Sequence, residues 1–76
     1  MNYEVQSILF NREIWSHKDA VGWLHHHHYI FKKIDATPNY WRFRQHDPKK
    51  LQQIGLTKLR NKYIGQGITL ILAYLE

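Results

Sequence analysis

Tyr40, Arg42 and Arg44 fall at every second position of Asn39-Tyr40-Trp41-Arg42-Phe43-Arg44-Gln45. In an extended chain that spacing sends all three side chains to one face, with the two guanidinium groups about 7 Å apart. Adjacent phosphates along one nucleic-acid strand are separated by a similar distance. The tyrosine ring beside them offers a surface on which a base can stack. Lys33, on the preceding segment, adds a further positive charge. A basic face with interleaved aromatics is how single-strand binders hold DNA or RNA, and neutralising phosphates drives their affinity. The competing reading is a solvated face with one arginine paired to Asp35, an ion pair worth little, or a face turned to a protein partner.

A second basic run follows in Lys49-Lys50 and then Lys58, Arg60 and Lys62. The last three alternate like a strand, with Leu59 and Tyr63 towards the other face. They either extend the nucleic-acid-binding surface or guard an edge strand against wrong pairing, which lysine does well.

His25 and His28, at i and i+3 of the tract His25-His26-His27-His28, could hold a metal ion weakly and adventitiously. No thiolate or nearby carboxylate completes a site, so neither a resident metal nor any other cofactor is expected. Gly65-Gln66-Gly67 lacks the Lys-Ser/Thr ending of a phosphate loop and reads as a hairpin turn. Ser7 and Ser16 serve better as strand and cap residues. The six acids show no pairing suited to acid–base or two-metal chemistry. No catalytic residue is expected, and the chain reads as a non-enzyme.

These side chains must be positioned by a chain of 76 residues, enough for one domain with a thin core. Its 43% apolar and 22% charged residues are the balance of a globular protein. The net charge of +5 is concentrated: residues 32–62 hold nine bases and two acids. With no cysteine there are no disulfides and no thiol chemistry. The first residues lack a secretory pattern, and the longest apolar run, Leu70 to Leu75, is far short of the roughly 20 residues that cross a bilayer. The expectation is therefore a protein that is not secreted and has no membrane partner.

Residues 3–11 read as a strand with apolar side chains on both faces. Residues 17–28 read as a helix capped by Ser16, with Asp19 in its first turn and Trp15 and Trp23 against a sheet. Residues 29–36 and 40–45 read as a hairpin around Thr37-Pro38-Asn39. Pairing Ala36 with Asn39 would set Lys33 opposite Arg42, Asp35 opposite Tyr40 and Phe31 opposite Arg44, leaving Ile30, Ile34, Trp41 and Phe43 for the core. Asp47-Pro48 opens a short helix anchored by Leu51 and Ile54. Residues 57–63 are an ambiguous strand, and residues 68–75 read as the central, most buried one. Together, residues 1–76 form one α+β domain: one helix packed on a four- or five-stranded antiparallel or mixed sheet. Open sheet edges and the tryptophans suggest a homodimer.

Several segments resemble an uncharacterised family of small proteins of tailed phages and large DNA viruses. They are Val5-Gln6-Ser7, Trp15 with Ala20 and Trp23-Leu24, Lys33-Ile34-Asp35-Ala36-Thr37, Asn39-Tyr40-Trp41-Arg42-Phe43-Arg44-Gln45, Asp47-Pro48 and Gly65-Gln66-Gly67-Ile68. The Asn-Tyr-x-Arg-Phe-Arg-Gln stretch is the most specific, and the histidine tract departs from the pattern. The resemblance implies a viral setting: host cytoplasm or nucleus, or the virion. Nucleic acid is the first partner expected, a viral structural protein the second, and a host protein that the chain inhibits the third.

Overall fold

The computed structural model describes residues 3–75. In chain order the elements are β1 (Tyr3–Asn11), α1 (His17–His26), β2 (Ile34–Ala36), β3 (Tyr40–Arg44), α2 (Pro48–Gln53), β4 (Leu56–Gly65) and β5 (Ile68–Leu75). The strands form one sheet in the order β2-β3-β1-β5-β4, and every neighbouring pair is antiparallel. The architecture is α+β, with one main helix and one small helix on a five-stranded sheet.

Phe10 organises the core. It is fully buried, and the rings of Trp15, Trp23 and Phe43 meet it edge-on at centroid distances of 5.2, 5.6 and 5.7 Å. Edge-to-face contact suits the ring quadrupoles. Ile8, Ala20, Leu24, Phe43 and Ile68 complete the cluster, so α1 covers the sheet face that carries Ile8, Phe10 and Phe43. The helix starts where Ser16 Oγ accepts a hydrogen bond from the Asp19 amide at 3.1 Å. It ends two residues before the sequence suggests. His27 is its C-cap, and His28 turns to φ 64°. The His28 amide donates to His25 O and the Tyr29 amide to Leu24 O, which satisfies the final carbonyls. A histidine fills the left-handed position that glycine normally takes.

The centre of the sheet is β1, not β5 as the apolar run at 68–75 suggests. β5 is interior but second from the edge. Its apolarity serves two small cores: Ile68 and Leu70 pack with the α1 cluster, while Ala73 packs with Leu51 of α2 and Leu56. Ile54, expected to anchor α2, is its C-cap and stays 65% exposed.

The β2–β3 hairpin is shifted by two residues from the expected pairing. Thr37 closes on Tyr40: the Thr37 amide and Oγ1 donate to Tyr40 O, and the Tyr40 amide donates to Thr37 Oγ1. Pro38 and Asn39 alone form the loop. Ala36 therefore faces Trp41, Asp35 faces Arg42 and Ile34 faces Phe43. A two-residue shift preserves which side chains share a face. Residues 29–33 do not form a strand. Instead the Gln45 side-chain amide clamps Ile30, accepting from its N–H at 2.8 Å and donating to its carbonyl at 2.7 Å. Ile30 is left exposed rather than in the core, and Phe31 packs against the α1 cluster rather than opposite Arg44.

The turn between β4 and β5 has positive φ at Gly65, Gln66 and Gly67. Gly67 has a second constraint, because a Cβ there would sit 2.8 Å from Ile14 Cδ1. Asn11 N–H donates to Gly67 O and Trp15 Nε1 to Gln66 O, fastening the turn to the β1–α1 junction.

Two outcomes follow for stability. Phe10→Ala should cost about 3–5 kcal/mol, enough to unfold much of a domain this small, as thermal denaturation followed by circular dichroism will show. His28→Gly should gain about 1 kcal/mol by relieving the left-handed residue, raising the melting temperature by about 4–8 °C.

Candidate nucleic-acid interface

Cross-strand partners project from the same face of a sheet. The registers therefore define a row Asp35–Arg42–Leu9–Thr69–Tyr63 across all five strands, with the row Arg44–Ser7–Ile71–Asn61 beside it. Tyr40 pairs with Asn11 in the same set. These rows lie on the face opposite α1. Among the described residues, α2 covers this face at the end near Ala73. Tyr40, Arg42 and Arg44 thus share an open face, as their alternation implies, with Asp35 among them.

The face is held by specific bonds. The β1–β5 register slips between Val5 and Ser7, and Gln6 and Ser7 are both buried at the irregularity. Their side chains receive Arg42: Nε donates to Ser7 Oγ and Nη2 to Gln6 Oε1, each at 3.3 Å. Arg42 therefore lies fixed across β1 rather than waving in solvent. Arg44 Nη2 stands 3.6 Å from Asp35 Oδ2 in a pair about half exposed, which contributes little to stability. Arg44 Nε is buried without a hydrogen-bond partner among the described residues. Lys33 is exposed in the loop before β2, and its carbonyl accepts from the Arg44 amide.

Lys58, Arg60 and Lys62 do not extend this face. They pair with Tyr74, Leu72 and Leu70. Leu70 in turn faces Ile8, and Ile8 faces Phe43, so the three cations lie on the face that carries α1. They also occupy the opposite edge of the sheet from β2, on exposed β4. Arg60 stands over the Tyr74 ring at 5.6 Å, and Tyr74 packs against Tyr3. Among the described residues none of the three forms an ion pair. The middle segment's charge is thus split into two surfaces.

His25 and His28 do not form a helical i, i+3 pair, because the helix has ended before His28. His25 sits edge-on to Phe31, and His27 stacks on Trp23 at 3.9 Å. Among the described residues no group of three or more histidine, aspartate or glutamate side chains converges as metal ligands.

No known family, curated protein or solved structure matches this chain. No helix among the described residues is long and apolar enough to cross a membrane.

Two features escape sequence reasoning. One is an open groove of about 650 Å³ lined by Ile14, Trp15, Trp23, His26, His27 and Gln66. Trp15 and Trp23 are visible as flanks of the helix, but Gln66 arrives from a distant turn. The other is Arg12, whose guanidinium lies 4.2 Å from the centre of the Trp41 ring and donates to Thr37 O at 2.7 Å, locking the hairpin tip to the end of β1.

Proposed function

We propose that the protein is a small, non-enzymatic viral module that binds single-stranded nucleic acid across the open sheet face. Arg42 and Arg44 contact phosphates, Lys33 adds charge at the margin, and Tyr40 and Tyr63 offer rings to bases. The observation that carries this reading is the shared row running from Arg42 through Leu9 and Thr69 to Tyr63. A sheet backed by a helix, with aromatics on its free face, is a platform on which single-stranded bases stack. Asn11 and Asn61 on the same face carry amides suited to base edges. Arg42 is pre-oriented by Ser7 and Gln6 while Nη1 remains available to a phosphate. Asp35 competes for Arg44, so an incoming phosphate replaces a weak ion pair. The viral setting rests on the resemblance carried by the Asn-Tyr-x-Arg-Phe-Arg-Gln stretch.

A virion structural or assembly role is the second reading, favoured by exposed Ile54, Leu59, Ile64 and Leu75. Mass spectrometry of purified particles separates the two, since a structural component is present in stoichiometric copies.

Fluorescence anisotropy with labelled oligothymidylate and oligouridylate tests the first. Affinity should fall steeply with salt. Arg42→Ala combined with Arg44→Ala should remove most binding and lower the slope of log K against log salt by about 1.4. Asp35→Asn should strengthen binding. Binding that is absent or insensitive to salt would overturn the proposal.

A further inference from the structure

The sheet terminates on β4, which pairs with β5 and, among the described residues, with no other strand. From Lys58 to Ile64 its outer backbone edge is open, and every residue in that stretch is exposed. An open edge of this length is a template for a further strand. The side chains specify which kind. Lys58, Arg60 and Lys62 project to the α1 face, while Leu59 and Tyr63, exposed by 56% and 66%, project to the other.

A second copy of β4 is a poor match. Extending the sheet by a two-fold antiparallel pairing requires an axis perpendicular to the sheet, which sets even-numbered residues opposite even-numbered ones. Every register centred between Lys58 and Lys62 then opposes cation to cation: Lys58 to Arg60, Lys58 to Lys62, Arg60 to Lys62, or one residue to its own copy. Like charges directly opposite one another destabilise a strand pair. The complement of this edge is an extended segment with carboxylates at alternate positions and apolar residues between them.

We propose that the β4 edge receives an acidic, extended segment of a partner protein as a sixth strand. Its main chain completes the hydrogen-bond ladder. Its Asp or Glu side chains face Lys58, Arg60 and Lys62, and its apolar side chains cover Leu59 and Tyr63. Strand addition draws affinity from the main chain and specificity from alternate side chains. Nucleic acid can answer the three charges but neither the backbone ladder nor the two-residue alternation. The three cations lie on the other face from Arg42 and Arg44 and only Tyr63 is common to both surfaces, so loss of Lys58, Arg60 and Lys62 and loss of Arg42 and Arg44 separate this proposal from the nucleic-acid reading.

Amide hydrogen exchange and NMR titration of the full chain test the proposal with three probes: a short peptide alternating Glu and Val, a peptide of the same composition with its glutamates in one block, and oligothymidylate. The alternating peptide should protect β4 edge amides and bind about tenfold or more tightly than the block peptide. Replacing Lys58, Arg60 and Lys62 together by glutamine should remove that preference while the circular dichroism spectrum stays unchanged, because all three side chains are exposed. Arg42→Ala with Arg44→Ala should leave peptide binding intact. Equal binding of the block peptide, no protection of β4, or displacement of the peptide from the Lys58–Arg60–Lys62 row by oligothymidylate would each overturn it.

Discussion

The structure depends on Phe10. Its ring has no solvent exposure and touches an aromatic ring from the β1–α1 junction, one from α1 itself and one from β3. Neighbouring Ile68 begins β5, paired to Phe10 across the sheet. A chain this short can assemble only one substantial core, and Phe10 collects it on one side of β1. The helix must therefore lie on that side. What remains on the other side is a sheet face that, among the described residues, α2 covers at one end, where Leu51 meets Leu56 and Ala73.

That one-sidedness makes the charge arrangement meaningful. The irregular pairing between Val5 and Ser7 buries two polar residues in the central strand, which is costly without partners. The Gln6 carbonyl accepts from the Gln45 amide at 2.7 Å, and its side chain accepts from Arg42. The same bonds that satisfy buried groups hold Arg42 flat on the open face. On the opposite edge, Lys58, Arg60 and Lys62 have no carboxylate among the described residues to neutralise them. One basic surface is tethered and mixed with an acid. The other is free and entirely cationic.

Much of the architecture was legible because it rests on local chemistry. Ser16 and Asp47 cap helices where their side chains can accept an amide hydrogen, and Pro48 opens the second helix because it has none to donate. The alternation of Tyr40, Arg42 and Arg44 fixes a common face whatever the register, since a strand repeats every two residues. Local pattern misleads where one local feature competes with a distant one. Residues 29–33 have strand-like composition, but the Gln45 amide clamps Ile30 and replaces the ladder. The hairpin register is set by the Thr37 amide and hydroxyl bonding to Tyr40, which moves the two-residue loop from Thr37-Pro38 to Pro38-Asn39 and shifts the pairing by two. The helix stops before His28 because the chain must turn for Tyr29 and Phe31 to reach the core.

The sequence alone determined the class of fold, most element boundaries, and the concentration of positive charge between residues 32 and 62, because composition, caps and periodicity act over a few residues. Only the tertiary structure decided that this charge forms two surfaces. Strand order put β4 and β2 at opposite edges, and cross-strand register turned Lys58, Arg60 and Lys62 to the α1 face while Arg42 and Arg44 face the open side. Both follow from long-range pairing with β1 and β5, which no periodicity within a single segment can encode.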